Sequence, residues 1–364
     1  MLGRYPEFSG RQLSLICSLC SFFWAEEDQV TIPSHLLDTS RPAPTFSSYR
    51  PDTAPRFVGT DPTFLAALDR LERYARHEHA VVLIEGESGT GKSFFAQHLH
   101  RMSPRARGPY QCVVLSTLDD NLAASDLFGH VRGAYTDARN SRLGCFSSGS
   151  GGTLCLDEIG KASPSVQRKL LHAIERREIW PVGSDRPIRI DVRLVAASNV
   201  PLAELVASGG FLPDLLARLN AFRIRIPPLR ERASDIPALV EQFLDARAAQ
   251  CGYSAGAPSM EARLLRLLQA AEWPNNLRQL DATVQRLLID ADGAPVLTFS
   301  HLGDDIGELE APAREQTLTP ARVRQVVEAA GSKTDAARLL GVTRQTIHRY
   351  LTRERDDETR LGDG

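Results

Sequence analysis

Eight consecutive residues, Gly86-Glu87-Ser88-Gly89-Thr90-Gly91-Lys92-Ser93, fit the pattern GxxxxGK[ST]. Each residue type in it has a physical task. Glycines let backbone N–H groups come close to phosphate oxygens. A lysine reaches the β- and γ-phosphates, and a serine hydroxyl holds Mg²⁺. A helix opening at Lys92 adds the partial positive charge of its N-terminus. Further along, the apolar run Leu154-Cys155-Leu156 delivers two carboxylates, Asp157 and Glu158. Asp157 suits a water-mediated Mg²⁺ ligand, and Glu158 suits a base that orients and deprotonates an attacking water. Asn199 closes a later apolar run and is positioned to sense a γ-phosphate; a strand-terminating turn residue is the alternative reading. Together these residues describe Mg²⁺-assisted phosphoryl transfer from ATP.

Such groups need strand ends to hold them. Near-continuous apolar runs occur at 80–86, 112–116, 152–158 and 192–198. They suit parallel strands covered on both faces. Helical patterns lie between them, at Lys92–Arg101 and Ser163–Glu175. The alternation predicts an α/β fold over 56–228, a three-layer P-loop domain with a parallel sheet. From 229 to 302 the period turns helical, at Ile236–Ala248, Met260–Ala271 and Leu277–Ile289, which predicts a small helical lid. Residues 303–318 are acidic and poor in apolar side chains, and read as a linker. The segment 1–55 ends in a Pro-, Ser- and Thr-rich linker, and is too short to hold an ordinary sensor domain.

The last unit, 319–364, carries a different chemistry. Val323, Val326 and Val327 share one helical face. Ala336, Ala337, Leu339 and Leu340 pack a second helix, Gly341 makes a turn, and Ile347 with Leu351 pack a third. This is helix-turn-helix spacing, and it offers Thr343, Arg344, Gln345, Thr346, His348 and Arg349 to a DNA major groove. Between Thr319 and Arg355, eight basic and three acidic residues leave a net +5, against −2 for the whole chain of 364 residues. The basic patch expected of a double-stranded DNA partner is therefore local. A helical hairpin used for oligomerisation is the plainer reading.

The six cysteines read as reduced thiols of a cytoplasmic protein, and Cys17-x-x-Cys20 stands without a second pair. The apolar stretch Leu13–Ala25 is too short to cross a bilayer, so no membrane partner is expected.

With these residues in hand, the chain resembles the sigma-54-dependent transcription activators, or bacterial enhancer-binding proteins. The resemblance runs from about Phe57 to Leu351. It rests on LFGH at 127–130, GAYTDA at 133–138, GGTLCLDEIG at 151–160, VRLVAASN at 192–199, RLNAFRIRIPPLRER at 218–232 and WPNNLRQL at 273–280. It implies an AAA+ ATPase with a helical lid and a Fis-like helix-turn-helix. The implied assembly is a homo-oligomeric ring, usually a hexamer. In it, Arg218 matches an arginine finger offered to the neighbouring subunit's ATP, and Arg278 matches a lid arginine that contacts nucleotide. Gly133, Ala134, Tyr135, Thr136, Asp137 and Ala138 match the loop that touches sigma-54 RNA polymerase.

Four positions depart from the family pattern. Tyr135 replaces Phe, Asp137 replaces a Gly, Leu212 replaces a second finger arginine, and Ser116 lies near the slot of an Asn. The implied function is ATP-driven promoter opening from an enhancer site. The alternative, motivated by Asp137 and Ser116, is a DNA-binding AAA+ regulator that no longer engages sigma-54. A third reading is a remodelling ATPase whose terminal helices bind protein. With no sensor domain expected before residue 56, control is expected from a separate regulatory protein or from expression level.

Overall fold

The computed structural model describes residues 57–302, apart from 118, 119, 135–139 and 255, and residues 320–351, apart from 341 and 343. Cys17, Cys20, the linkers at 31–55 and 303–318, Tyr135–Ala138 and Thr343 lie outside the described residues.

Five strands form one parallel sheet. They are β1 (Val82–Glu85), β2 (Tyr110–Val114), β3 (Thr153–Asp157), β6 (Arg193–Ser198) and β7 (Phe222–Arg225), in the order β2-β3-β6-β1-β7. A two-stranded ribbon of β4 (Glu178–Ile179) and β5 (Ile188–Arg189) stands apart from it. The strand pleat sorts side chains to two faces. Leu83, Leu154, Leu156, Leu194 and Ala196 face one core. That core is closed by α3 (Asp120–Phe128), the short α4 (Cys145–Ser148), α5 (Pro164–Arg176), α6 (Leu202–Ala207) and α7 (Pro213–Leu219). Val82, Ile84, Cys155, Val195 and Ile224 face the other, closed by α1 (Pro62–Ala75) and α2 (Lys92–Arg101). The three layers expected from the sequence are present.

Strand β7 and helix α1 are among the elements of this domain that the apolar runs and helical patterns did not mark out. Strand β7 alternates Phe and Ile with two arginines and lies at the sheet edge, so it lacks a continuous apolar run. Helix α1 starts on Pro62, and Asp61 caps it by accepting the Phe64 N–H at 2.9 Å. Strand β2 begins two residues earlier than expected and ends at Val114. Ser116 therefore sits in the following single turn, Leu115–Thr117, and is exposed.

The helical part contains α8 (Ile236–Arg247), α9 (Ala262–Ala270) and α10 (Asn276–Asp290), with β8 (Ser259–Met260) paired to β9 (Val296–Leu297). Leu239, Val240, Leu264, Leu268, Leu280, Val284 and Leu287 form its core around the fully buried Trp273. The terminal unit packs α11 (Pro320–Ala330) and α12 (Lys333–Leu339) with α13 (344–351) around Val323, Val326, Ala336 and Ile347. Helix α9 also belongs to that second core, through Leu267.

Candidate nucleotide site

The glycine-rich loop joins β1 to α2, with Lys92 as the first helical residue. Gly91 precedes it at φ 99°, a left-handed conformation that glycine adopts freely, and no side chain caps the helix. The first-turn N–H groups of α2 are thus left for an anion. Thr90 folds back on the loop, its hydroxyl donating to the Glu87 carbonyl at 2.8 Å. The Lys92 ammonium donates to the Gly86 and Glu87 carbonyls, each at 2.9 Å. Burial pulls its pKa below the ordinary lysine value, while Asp157 and Glu158 pull the other way. A phosphate would supply the negative charge that this half-satisfied cation lacks.

Strands β1, β6 and β3 are neighbours, so their C-terminal ends converge on this loop. Asp157 ends β3 and accepts the Ser93 hydroxyl at 3.1 Å and the Glu158 N–H at 2.9 Å. A serine hydroxyl beside a carboxylate, next to a phosphate-binding loop, fits Mg²⁺ that takes its remaining ligands from phosphate and water. Among the described residues no cluster of three or more His, Cys, Asp or Glu could hold a metal by itself. Glu158 stands at φ 55°, left-handed for a side chain with a Cβ. Strain of this kind costs about 1–3 kcal/mol and concentrates at functional sites. Asn199 follows the last residue of β6 and is half-buried at the same end of the sheet.

The lid closes over the loop through the start of α10. The Leu277 N–H donates to the Gly89 carbonyl at 3.0 Å. Arg278 donates to the Ser88 hydroxyl at 3.3 Å, so it stands beside the loop. A Cβ on Gly89 would lie 2.1 Å from the Asn275 carbonyl, so only glycine fits this close approach. Arg218 is held elsewhere: it lies on α7, exposed, in a 2.9 Å ion pair with Glu175 of α5. Leu212 packs its side chain partly against the domain core, and its N–H donates to Gln167 at 2.8 Å.

Two residues at this site lie inside the motifs that carry the resemblance, but no role was expected of them from the sequence. Arg230 follows the last strand and grips the Glu87 carboxylate with two bonds of 2.8 and 2.6 Å. Asn276 is fully buried at φ 51°. It donates to the Ser88 carbonyl at 2.9 Å and to Glu87 at 3.3 Å, and accepts the Leu229 N–H at 2.7 Å. Without the fold, one is an arginine in a basic stretch and the other a helix-breaking amide.

A Sigma-54 interaction domain model matches residues 57–225, and an AAA+ ATPase lid domain model matches 230–319. The chain is 39% identical over 310 residues to the transcriptional regulatory protein ZraR of Klebsiella oxytoca, covering 81% of this chain and 68% of ZraR. The chain belongs to the sigma-54-dependent transcriptional activators. It is 40% identical to the Nif-specific regulatory protein of Azotobacter vinelandii, but spans only 58% of that protein's length. Among solved structures, NtrX from Brucella abortus in complex with ADP is similar with a TM-score of 0.65 and 30% identity, over 82% of this chain and 69% of NtrX.

Two further regions bear on membership of this family. In the GAYTDA segment only Gly133 and Ala134 are among the described residues. Their stem is pinned by the buried His130, which contacts the Ser125 hydroxyl at 2.7 Å and the Asn140 carbonyl at 3.0 Å. An acceptor carbonyl on Nε2 requires the proton there, so in the neutral ring Nδ1 accepts from Ser125. In the terminal unit, Arg344, Gln345, His348 and Arg349 of α13 are exposed, Thr346 is half-buried, and Ile347 is buried in the core. No helix among the described residues is long and apolar enough to cross a membrane.

Proposed function

We propose that this activator binds double-stranded DNA through its terminal helices and hydrolyses ATP in a homo-oligomeric ring, a hexamer, to remodel sigma-54 RNA polymerase at a promoter. The observation that carries the proposal is the closed ATP-type site. Lys92, Ser93 and Asp157 lie within hydrogen-bonding reach of one loop, and Arg278 covers it from the lid. Gly86–Ser93 holds the phosphates, with Lys92 on the β- and γ-phosphates. Ser93 and Asp157 hold Mg²⁺, which when bound neutralises phosphate charge. Glu158 orients and deprotonates the water, and Asn199 senses the γ-phosphate.

Arg218 is exposed and paired to Glu175 of α5. An exposed guanidinium of this kind suits a neighbour's ATP, which makes hydrolysis depend on assembly. The 133–138 loop, on a stem pinned by His130, is the element that engages sigma-54. Thr343, Arg344, Gln345, Thr346, His348 and Arg349 read the major groove.

The test is transcription from a sigma-54 promoter with purified chain, polymerase and ATP. Open-complex formation that vanishes in Glu158→Gln supports the reading. Normal ATP hydrolysis with no promoter opening would favour the second reading, a regulator that has lost sigma-54 contact. Asp137 in the loop motivates that reading, and Asp137→Gly would then restore sigma-54 binding.

A further inference from the structure

A carboxylate is an awkward neighbour for a phosphate site. Glu87 is the second residue of the phosphate-binding loop, and bare it would repel a triphosphate. The structure does not leave it bare. Both oxygens accept from Arg230 in a two-bond fork, and the Asn276 amide donates to one of them at 3.3 Å. This pairing holds the Glu87 carboxyl below its ordinary pKa, with the Arg230 hydrogen bond as the largest cause.

The fork also joins two bodies. Arg230 sits at the chain's entry into the lid, directly after Leu229, which is part of the lid core. Asn276 opens α10 and ties Leu229 to the Ser88 carbonyl. The lid thus grips the loop at Glu87 and Ser88, through one buried amide and one half-exposed guanidinium. Asn276 keeps a left-handed backbone to do so, a cost that surrounding contacts must offset. The Glu87 carbonyl, on the same residue, is one of the two acceptors that hold Lys92. Whatever moves Glu87 therefore moves the lysine's resting place.

We propose that Arg230 is a positioning residue for nucleotide binding, which neutralises Glu87 and, with Asn276, latches the phosphate-binding loop to the lid. The inference rests on the reading that Gly86–Ser93 holds a nucleotide. Arg230 acts through Glu87, not on the phosphates.

That distinction sets the experiment. ADP affinity is measured by calorimetry on the full chain for wild type, Arg230→Ala, Arg230→Lys, Glu87→Gln and the Arg230→Ala/Glu87→Gln double variant, with steady-state ATP hydrolysis alongside. Arg230→Ala leaves an unpaired charge beside the phosphates, and is expected to weaken ADP binding about tenfold and raise KM more than it lowers kcat. Arg230→Lys, which keeps the charge but not the fork, recovers part of that loss. In the Glu87→Gln background the same alanine costs about twofold or less, because the charge it would expose is gone.

A penalty equally large in both backgrounds would overturn the inference, since Arg230 would then act on nucleotide directly. So would an Arg230→Ala variant within twofold of wild type. Lys92→Ala is the separate control: if wild type binds ADP no better than this variant, the underlying reading of the loop fails, and the inference with it. The side chains of Arg230 and Glu87 are more than a third exposed, so the variants are expected to fold, and their melting curves check it.

Discussion

The lid touches its two neighbours in opposite ways. Toward the phosphate-binding loop it offers hydrogen bonds: Leu277 N–H to Gly89, Asn276 to Ser88, Arg278 to the Ser88 hydroxyl, and Arg230 to Glu87. Toward the terminal helices it offers a greasy face of α9. Leu267 is buried there with Val323, Val326, Ala329 and Ala330, while Leu264 and Leu268 of the same helix turn into the lid core. One charged group completes that second contact. Arg263 donates to the Ala330 carbonyl at 2.5 Å, lies 3.6 Å from Asp335 and stacks over Phe299 at 4.8 Å. A cation at the C-terminal carbonyls of α11 also meets the negative end of its dipole.

The difference teaches what each contact can respond to. Directional bonds to a loop's carbonyls and carboxylate are altered when an anion enters that loop. Apolar burial is non-directional and indifferent to charge nearby. The loop side is built to change with ligand, and the terminal side to stay put.

The largest expected effect breaks the loop side alone. Glu158→Gln should lower ATP hydrolysis by roughly a hundredfold or more, while hydrogen exchange in 323–330 stays as slow as in wild type. Faster exchange there would mean that the two contacts are not independent. Next, Leu267→Asp breaks the terminal side alone. Burying a charge where a leucine packed should cost about 3–5 kcal/mol or more of docking. It would be read as rapid exchange across 323–330 with ADP affinity unchanged.

Arg263→Ala is milder, about 1 kcal/mol, because the side chain is partly exposed and the apolar contact survives. A double variant with Leu267→Asp should then show little further loss. The smallest effect sharpens the loop side by pH. Glu87 is depressed in the folded protein, so its contribution is complete above the ordinary glutamate value of about 4.3 and fades as pH falls below it. Thermal stability should be flat from neutral pH down to that value and then drop, and Glu87→Gln should remove this part of the drop.

Much of this was legible from residue order. The loop glycines, Lys92 and Ser93 form a local pattern, because one strand-to-helix turn carries them all. The apolar runs of β1, β3 and β6 were continuous, because both faces of those strands are buried. Strand β7 was not, because an edge strand with exposed arginines has no such run. Arg278 came through family resemblance alone, and the structure places it against Ser88. Arg230 and Asn276 had no role legible in the sequence because their partners in the loop are distant, 143 residues away for the first and 188 and 189 for the second. The strain at Glu158 was equally hidden, since a backbone angle leaves no mark on residue identity.

The sequence by itself determined the phosphate-binding turn, the carboxylates at a strand end and the parallel α/β frame, because each depends on neighbours or on a short period. It also placed a helix-turn-helix pattern at the basic end. Only the tertiary structure decided how the lid grips the loop, that α9 serves two cores at once, and where Arg218 rests. Those arrangements depend on which surfaces meet, and a meeting of surfaces is set by packing across the whole chain rather than by any stretch of it.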